Sequence, residues 1–200
     1  MTFQVSQLVF SLEKNNYNME LIEEPIEGLK LLKPRVFNDE RGYFYESYQR
    51  KKLEELGIMA AFVQDNESYS LKNTLRGLHY QMGDYAQAKL VRVVKGEVQD
   101  IAVDIREGSK TYGQVYSAIL SEENKHQLFI PRGFAHGYLV LSDEAIFCYK
   151  TDNYYNKSAE GGIHCNDSKL KIEWNINPSI AILSEKDSIL PSFGNHRKQI

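Results

Sequence analysis

The chain has 200 residues, of which 42% are hydrophobic and 12% aromatic, and its net charge is −3. That length suffices for one domain with a substantial core, and the slightly negative balance argues against a nucleic-acid or membrane-surface binder. Two cysteines, Cys148 and Cys165, are too few for a disulfide framework and fit free thiols in a reducing cytosol, and no apolar run approaches a membrane span.

Residues 1–18 are polar around Asn15, Asn16 and Asn18 and show no clear period, so they read as an N-terminal extension ahead of a single domain over 19–200. They lack the basic start and long apolar stretch of a signal peptide, and Met19 can be read as an internal start. Residues 28–37 and 43–48 predict strands on either side of the polar, glycine-ended turn 38–42. Residues 49–56, rich in Lys, Glu and Leu, predict a helix, and Gly57 stands where its C-terminal cap belongs. Residues 62–70 return to strand. The alternating run 90–94 and the run 98–105 flank Lys95, Gly96 and Glu97, which predicts a hairpin over 89–106 with Gly96 at a positive φ. Alternation breaks near Asp100, where a bulge is expected. Short strands over 113–120, 127–131, 137–141 and 145–150 follow at turn-length spacing. Such a series predicts an all-β sandwich or jelly roll with one or two short helices.

Two clusters carry chemistry. In the first, Arg76, Gly77, Leu78, His79, Tyr80 and Gln81 precede Lys89, Leu90, Val91, Arg92 and Val93. A histidine takes a proton near neutral pH, and a lysine ammonium can face a developing oxyanion. Together they suit proton removal next to a carbonyl, although a lone strand histidine is usually structural and a lone lysine usually solvated. In the second, Pro131 and Gly133 shape a turn from which His136 enters a strand. This cluster resembles the second half of the cupin signature. The paired histidines of the first half are reduced here to His79, followed by Tyr80 and Gln81, so the metal-ligand set of many cupins is incomplete.

Taken in order, these clusters and Tyr149-Lys150 and Ser184-Glu185-Lys186-Asp187 make a specific match. From about Met19 to about Pro191 the chain resembles the dTDP-4-dehydrorhamnose 3,5-epimerases, metal-free cupins of deoxysugar biosynthesis. The resemblance implies a cupin-type jelly roll, a dTDP-sugar substrate, no cofactor, no metal, a homodimer and a cytoplasmic location. It implies His79 as base, Asp187 as the carboxylate behind it, Tyr149 as proton donor, and Lys89 and His136 as residues facing the sugar. Tyr155 falls at the ring that stacks on thymine, and Arg41, Glu46, Gln64, Arg76, Glu160 and Lys186 at other positions of the nucleotide-sugar site. The chain departs from the family pattern at Phe129, at His164-Cys165-Asn166 and at Ser168, which bears on pocket shape more than on reaction.

The implied substrate, dTDP-4-keto-6-deoxy-D-glucose, has a ketone at C4 that acidifies C3 and C5, because removing either proton gives an enolate with its charge on the C4 oxygen. Inversion needs a base on one face and an acid on the other. His79 suits the base and Tyr149 the acid, with Lys89 and His136 expected to donate to the C4 oxygen. Three alternatives stay open: an epimerase acting at C3 or C5 alone on a related sugar, a sugar-binding cupin without chemistry, and a metal-dependent cupin, which the incomplete histidine set disfavours.

Overall fold

A computed structural model describes residues 19–198, so the expected extension 1–18 lies outside the described residues. The strands are β1 (Met19–Ile26), β2 (Leu29–Pro34), β3 (Phe37–Asp39), β4 (Gly42–Phe44), β5 (Gln64–Leu71), β6 (Leu75–Gln81) and β7 (Lys89–Lys95). They continue with β8 (Glu97–Asp104), β9 (Val115–Ser121), β10 (Gln127–Ile130), β11 (Phe134–Val140), β12 (Glu144–Thr151) and β13 (Glu160–Gly162). A six-stranded sheet runs β1-β2-β10-β7-β12-β5, and a five-stranded sheet runs β13-β6-β11-β8-β9. All the strand pairs are antiparallel. The two sheets face each other as the jelly roll of a cupin.

Burial of alternate apolar side chains explains why the strands stack in this way. Between the sheets, Val91 and Val93 of β7, Leu128 of β10 and Phe147 of β12 meet Val98 and Ala102 of β8 and Phe134 and Val140 of β11. The outer face of the five-stranded sheet is also apolar. Leu75, Leu78, Ile101, Val103 and Leu139 are covered there by the C-terminal segment through Ile163, Leu170 and Trp174. The outer face of the six-stranded sheet is covered by α1 (Arg50–Glu55), whose Leu53 packs with Ile58, Leu32 and Leu90.

The helix ends as its sequence predicts. Gly57 has φ +78°, and its N–H donates to the Glu54 carbonyl at 2.9 Å while the N–H of Ile58 donates to the Leu53 carbonyl at 2.8 Å. These two bonds make a Schellman cap. The expected strand 43–48 stops at Phe44.

Two expectations fail in an instructive way. The runs 89–95 and 97–104 are both strands, and Gly96 has φ +78°, yet β7 and β8 do not pair. The chain crosses at Gly96 from one sheet to the other, and a Cβ there would sit 2.1 Å from the Glu144 carbonyl oxygen. There is also no bulge at Asp100, since β8 keeps an unbroken register with β9 and β11. The alternation looks broken because both faces of β8 are buried: Val98 and Ala102 point between the sheets, and Ile101 and Val103 point outward.

The turn after β8 is organised by Asp104, which is fully buried. Its carboxylate accepts from the Arg106 guanidinium at 2.8 and 2.9 Å, from the Ser109 hydroxyl at 2.7 Å and from the Thr111 hydroxyl at 2.6 Å. Burial alone would raise the Asp104 pKa, but these bonds and the Arg106 backbone N–H outweigh it and bring it down to about 2. A carboxyl with a depressed folded pKa stabilises the fold above its unfolded value and loses that contribution as pH falls through the folded one. Wild-type stability should therefore fall by about 2 kcal/mol more than that of Asp104→Asn between about pH 4 and about pH 2. Urea titrations of both proteins at several pH values check this, and parallel curves would contradict it.

Candidate active site

The site lies between the sheets, where inward-facing side chains of β6, β7, β11 and β12 leave a cleft of about 310 Å³. Arg76 and His79 both line it, although residues three apart on a regular strand point to opposite faces. A bulge in β6 resolves this. Across to β11, His79 pairs with His136 and Arg76 with Tyr138, so Gly77 and Leu78 oppose Gly137 alone. Gly77 has φ +123°, and a Cβ on it would lie 2.6 Å from the Gly137 Cα. Glycine is required here because the two backbones meet.

His79 is held by Asp187, with Nε2 and Oδ1 2.6 Å apart. The histidine side chain is 31% exposed toward the cleft, whereas that of Asp187 is 5% exposed. Asp187 lies in the single turn α2 (Glu185–Ser188), where its backbone N–H donates to the capping Ser184 hydroxyl at 3.1 Å. Burial pushes the Asp187 carboxyl up. The bond to His79, the charge of that ring, the Gly77 N–H and Ser184 pull it down further than burial raises it. The result is a carboxylate fixed behind an imidazole.

Lys89 opens β7 and faces the same cleft. Burial disfavours its ammonium, and although Asp100 and Glu160 support the charge, its pKa is brought down to about 8. Tyr149 follows Ala145 and Phe147 along the inward face of β12, and burial raises its hydroxyl, so that it keeps its proton at neutral pH. His136 also lines the cleft, but its Nε2 faces Asp100 at 2.9 and 3.1 Å. Arg76 is oriented by a run of hydroxyls. Its Nε donates to Ser70 at 3.0 Å, Ser70 lies 3.4 Å from the Tyr138 hydroxyl, and Tyr138 lies 2.8 Å from Ser68. The Tyr138 ring stacks on Phe147 with centroids 4.1 Å apart.

The cleft thus brings together Arg76, His79, Lys89, His136, Tyr149, Lys186 and Asp187 of the expected site residues. Lys186 at the rim pairs with Glu160, which also accepts from the Tyr155 hydroxyl at 3.2 Å, so these two residues join the site through its edge. Arg41, Glu46 and Gln64 stand apart. The Arg41 side chain is 85% exposed and pairs with Asp39, Glu46 follows β4, and Gln64 donates to Asn66 at 2.7 Å. Asp100, Tyr138 and Ser68 were missed from the sequence. A charge at Asp100 between the inward apolar residues Val98 and Ala102 was the available signal. Among the described residues, no group of three or more His, Cys, Asp or Glu side chains is placed to hold a metal ion.

A carboxylate-backed histidine on one sheet of a cupin jelly roll, with a protonated tyrosine on the facing sheet, makes a site built for moving protons across a bound substrate. Comparisons with known proteins place the chain in a family. The sequence pattern of the dTDP-4-dehydrorhamnose 3,5-epimerase family matches residues 23–195. The enzyme of that name from Shigella flexneri is 54% identical over 171 residues, covering 84% of this chain and 93% of its own. The crystal structure of the one from Elizabethkingia anophelis superimposes with a TM-score of 0.85 at 53% identity, covering 88% of this chain and 97% of its own. The structure of a dTDP-6-deoxy-D-glucose-3,5-epimerase from Legionella pneumophila in complex with dTDP-4-keto-L-rhamnose gives a TM-score of 0.85 at 50% identity, covering 88% of this chain and 94% of its own. The chain belongs to the dTDP-4-dehydrorhamnose 3,5-epimerase family.

Proposed function

We propose that the chain converts dTDP-4-keto-6-deoxy-D-glucose to dTDP-4-keto-L-rhamnose by inverting C3 and C5 through an enolate. The observation that carries this reading is the opposition of His79 on the five-stranded sheet to Tyr149 on the six-stranded sheet across one cleft. Inversion requires removal of a proton from one face and its return to the other, and facing sheets supply the two faces. With Nε2–H given to Asp187, His79 has Nδ1 free to take the proton, and Asp187 stabilises the imidazolium that forms. The Lys89 ammonium donates to the C4 oxygen as charge builds there, an effect worth ~2.7–4 kcal/mol in comparable oxyanion sites. Tyr149 delivers the second proton. Arg76 and Lys186 add positive charge at the cleft for the diphosphate, and the exposed Tyr155 ring at the rim is suited to stacking on thymine. In this reading Arg41, Glu46 and Gln64, which stand apart from the cleft, are left to contact the part of the nucleotide sugar that extends beyond it, and the protein works as a cytoplasmic homodimer. Free Cys148 and Cys165 are compatible with that compartment.

Proton NMR of the substrate in D2O tests the reaction. Both H3 and H5 signals should disappear and the product signals of the inverted sugar should appear, whereas exchange at one carbon would narrow the activity to that carbon. The same assay after exhaustive treatment with EDTA should give an unchanged rate, because Lys89 rather than a Lewis acid meets the enolate oxygen. Loss of activity on chelation, restored by a divalent ion, would contradict that.

A further inference from the structure

Asp100 is a buried carboxylate beside the cleft that has no part in the mechanism above. It is 0% exposed and points between the sheets from β8, and both its oxygens face Nε2 of His136, at 2.9 and 3.1 Å. We propose that Asp100 is a positioning residue: it holds His136 in the tautomer protonated at Nε2 and supplies the counter-charge for Lys89, so that Lys89 donates to the C4 oxygen while His136 accepts. The proposal rests on the epimerase reading and deepens it by dividing the roles of the two residues expected to donate together.

A carboxylate only accepts, so the ring nitrogen facing it carries the hydrogen. Whether His136 could also donate from Nδ1 depends on its charge. The residue is 7% exposed and lies against the Phe147 ring, centroids 6.0 Å apart. Burial lowers its pKa, Asp100 raises it, and the neighbouring Lys89 and His79 lower it, with a net result below the usual histidine value. The ring is then neutral at pH 7, and its Nδ1 holds a lone pair that cannot donate to an oxyanion. Lys89, in contrast, keeps its proton up to about pH 8 because Asp100 and Glu160 offset part of its desolvation. The charged and titratable groups around it are Asp100 on β8, Glu160 on β13, His136 on β11 and His79 on β6, with Tyr149, Arg76, Lys186 and Asp187 sharing the cleft.

Two measurements decide the matter. In wild-type protein labelled with 15N-histidine, two-bond proton–nitrogen correlations at neutral pH should show a pyrrole-like Nε2 and a pyridine-like Nδ1 for His136, assigned by their loss in His136→Gln. The opposite tautomer, or an imidazolium, would overturn the proposal. In Asp100→Asn, the amide can donate to Nε2 and reverse the tautomer, and turnover should fall by up to about 10⁴-fold, the loss seen when the carboxylate orienting a catalytic histidine is replaced. Lys89 also loses a counter-charge, so the alkaline limb of kcat/KM should move to lower pH. An unchanged rate, or a reduced rate with the alkaline limb in place, would overturn the proposal. If the wild-type protein washes no deuterium into the keto sugar, the reaction itself is misassigned. The tautomer measurement needs no turnover and judges Asp100 on its own.

Discussion

Replacing His79 with alanine should lower turnover by at least the ~10²–10⁴-fold that a general base contributes, with deuterium exchange at C3 and C5 falling together. Both losses have one cause, because the enolate cannot form until His79 takes a proton. The fold should survive the change. His79 is partly exposed in the cleft, and its removal opens space already continuous with solvent. Asp187 loses its partner but still accepts from the Gly77 N–H, and the Ser184 cap on α2 does not depend on the histidine. Unchanged thermal unfolding with abolished exchange is the expected pair of results. Added imidazole should restore part of the exchange, since the vacated space is of its size and Asp187 remains to orient it. Epimerisation at the wild-type rate by His79→Ala would remove the central claim about the site.

Changing Tyr149 to phenylalanine should separate two events that the wild-type enzyme couples. The ring stays against Phe147 and only the hydroxyl is lost, so packing should barely change. His79 can still form the enolate and return deuterium to the face it came from. Exchange should therefore continue while inversion falls by ~10²–10⁴-fold, and C5 is the position to follow, because the family resemblance places this tyrosine there. Equal losses of exchange and inversion would mean that Tyr149 only positions the substrate. No loss of either would make it a core residue and leave Tyr155 or a bound water as the acid.

Much of the fold follows from local pattern. Period-two apolar runs mark strands because the pleat sends alternate side chains to opposite faces, and the Lys- and Glu-rich run 49–56 ending at Gly57 marks a helix because a left-handed residue must close it. His79, Lys89, His136 and Tyr149 could be picked out by residue type and order, and the resemblance supplied roles for them that no single spacing carries. Periodicity does not name the strand across the gap. The runs around Gly96 were legible as strands and the glycine as a turn, but hairpin and crossing differ only in which surfaces are buried, and β8 is buried on both.

The strand-rich architecture, the helix with its cap and the chemical groups available for proton transfer are legible in local sequence, because they depend on residues near one another along the chain. Which groups meet is a matter of the folded chain. Folding sets Asp187 against His79 across 108 positions, turns Arg76 and His79 to one side through the bulge at Gly77 and Leu78, and makes the buried Asp100 the partner of His136. Each of those contacts is made between separate strands or through the C-terminal segment laid over β6. Their geometry follows from strand register and backbone approach, which are fixed when the two sheets close on a common core.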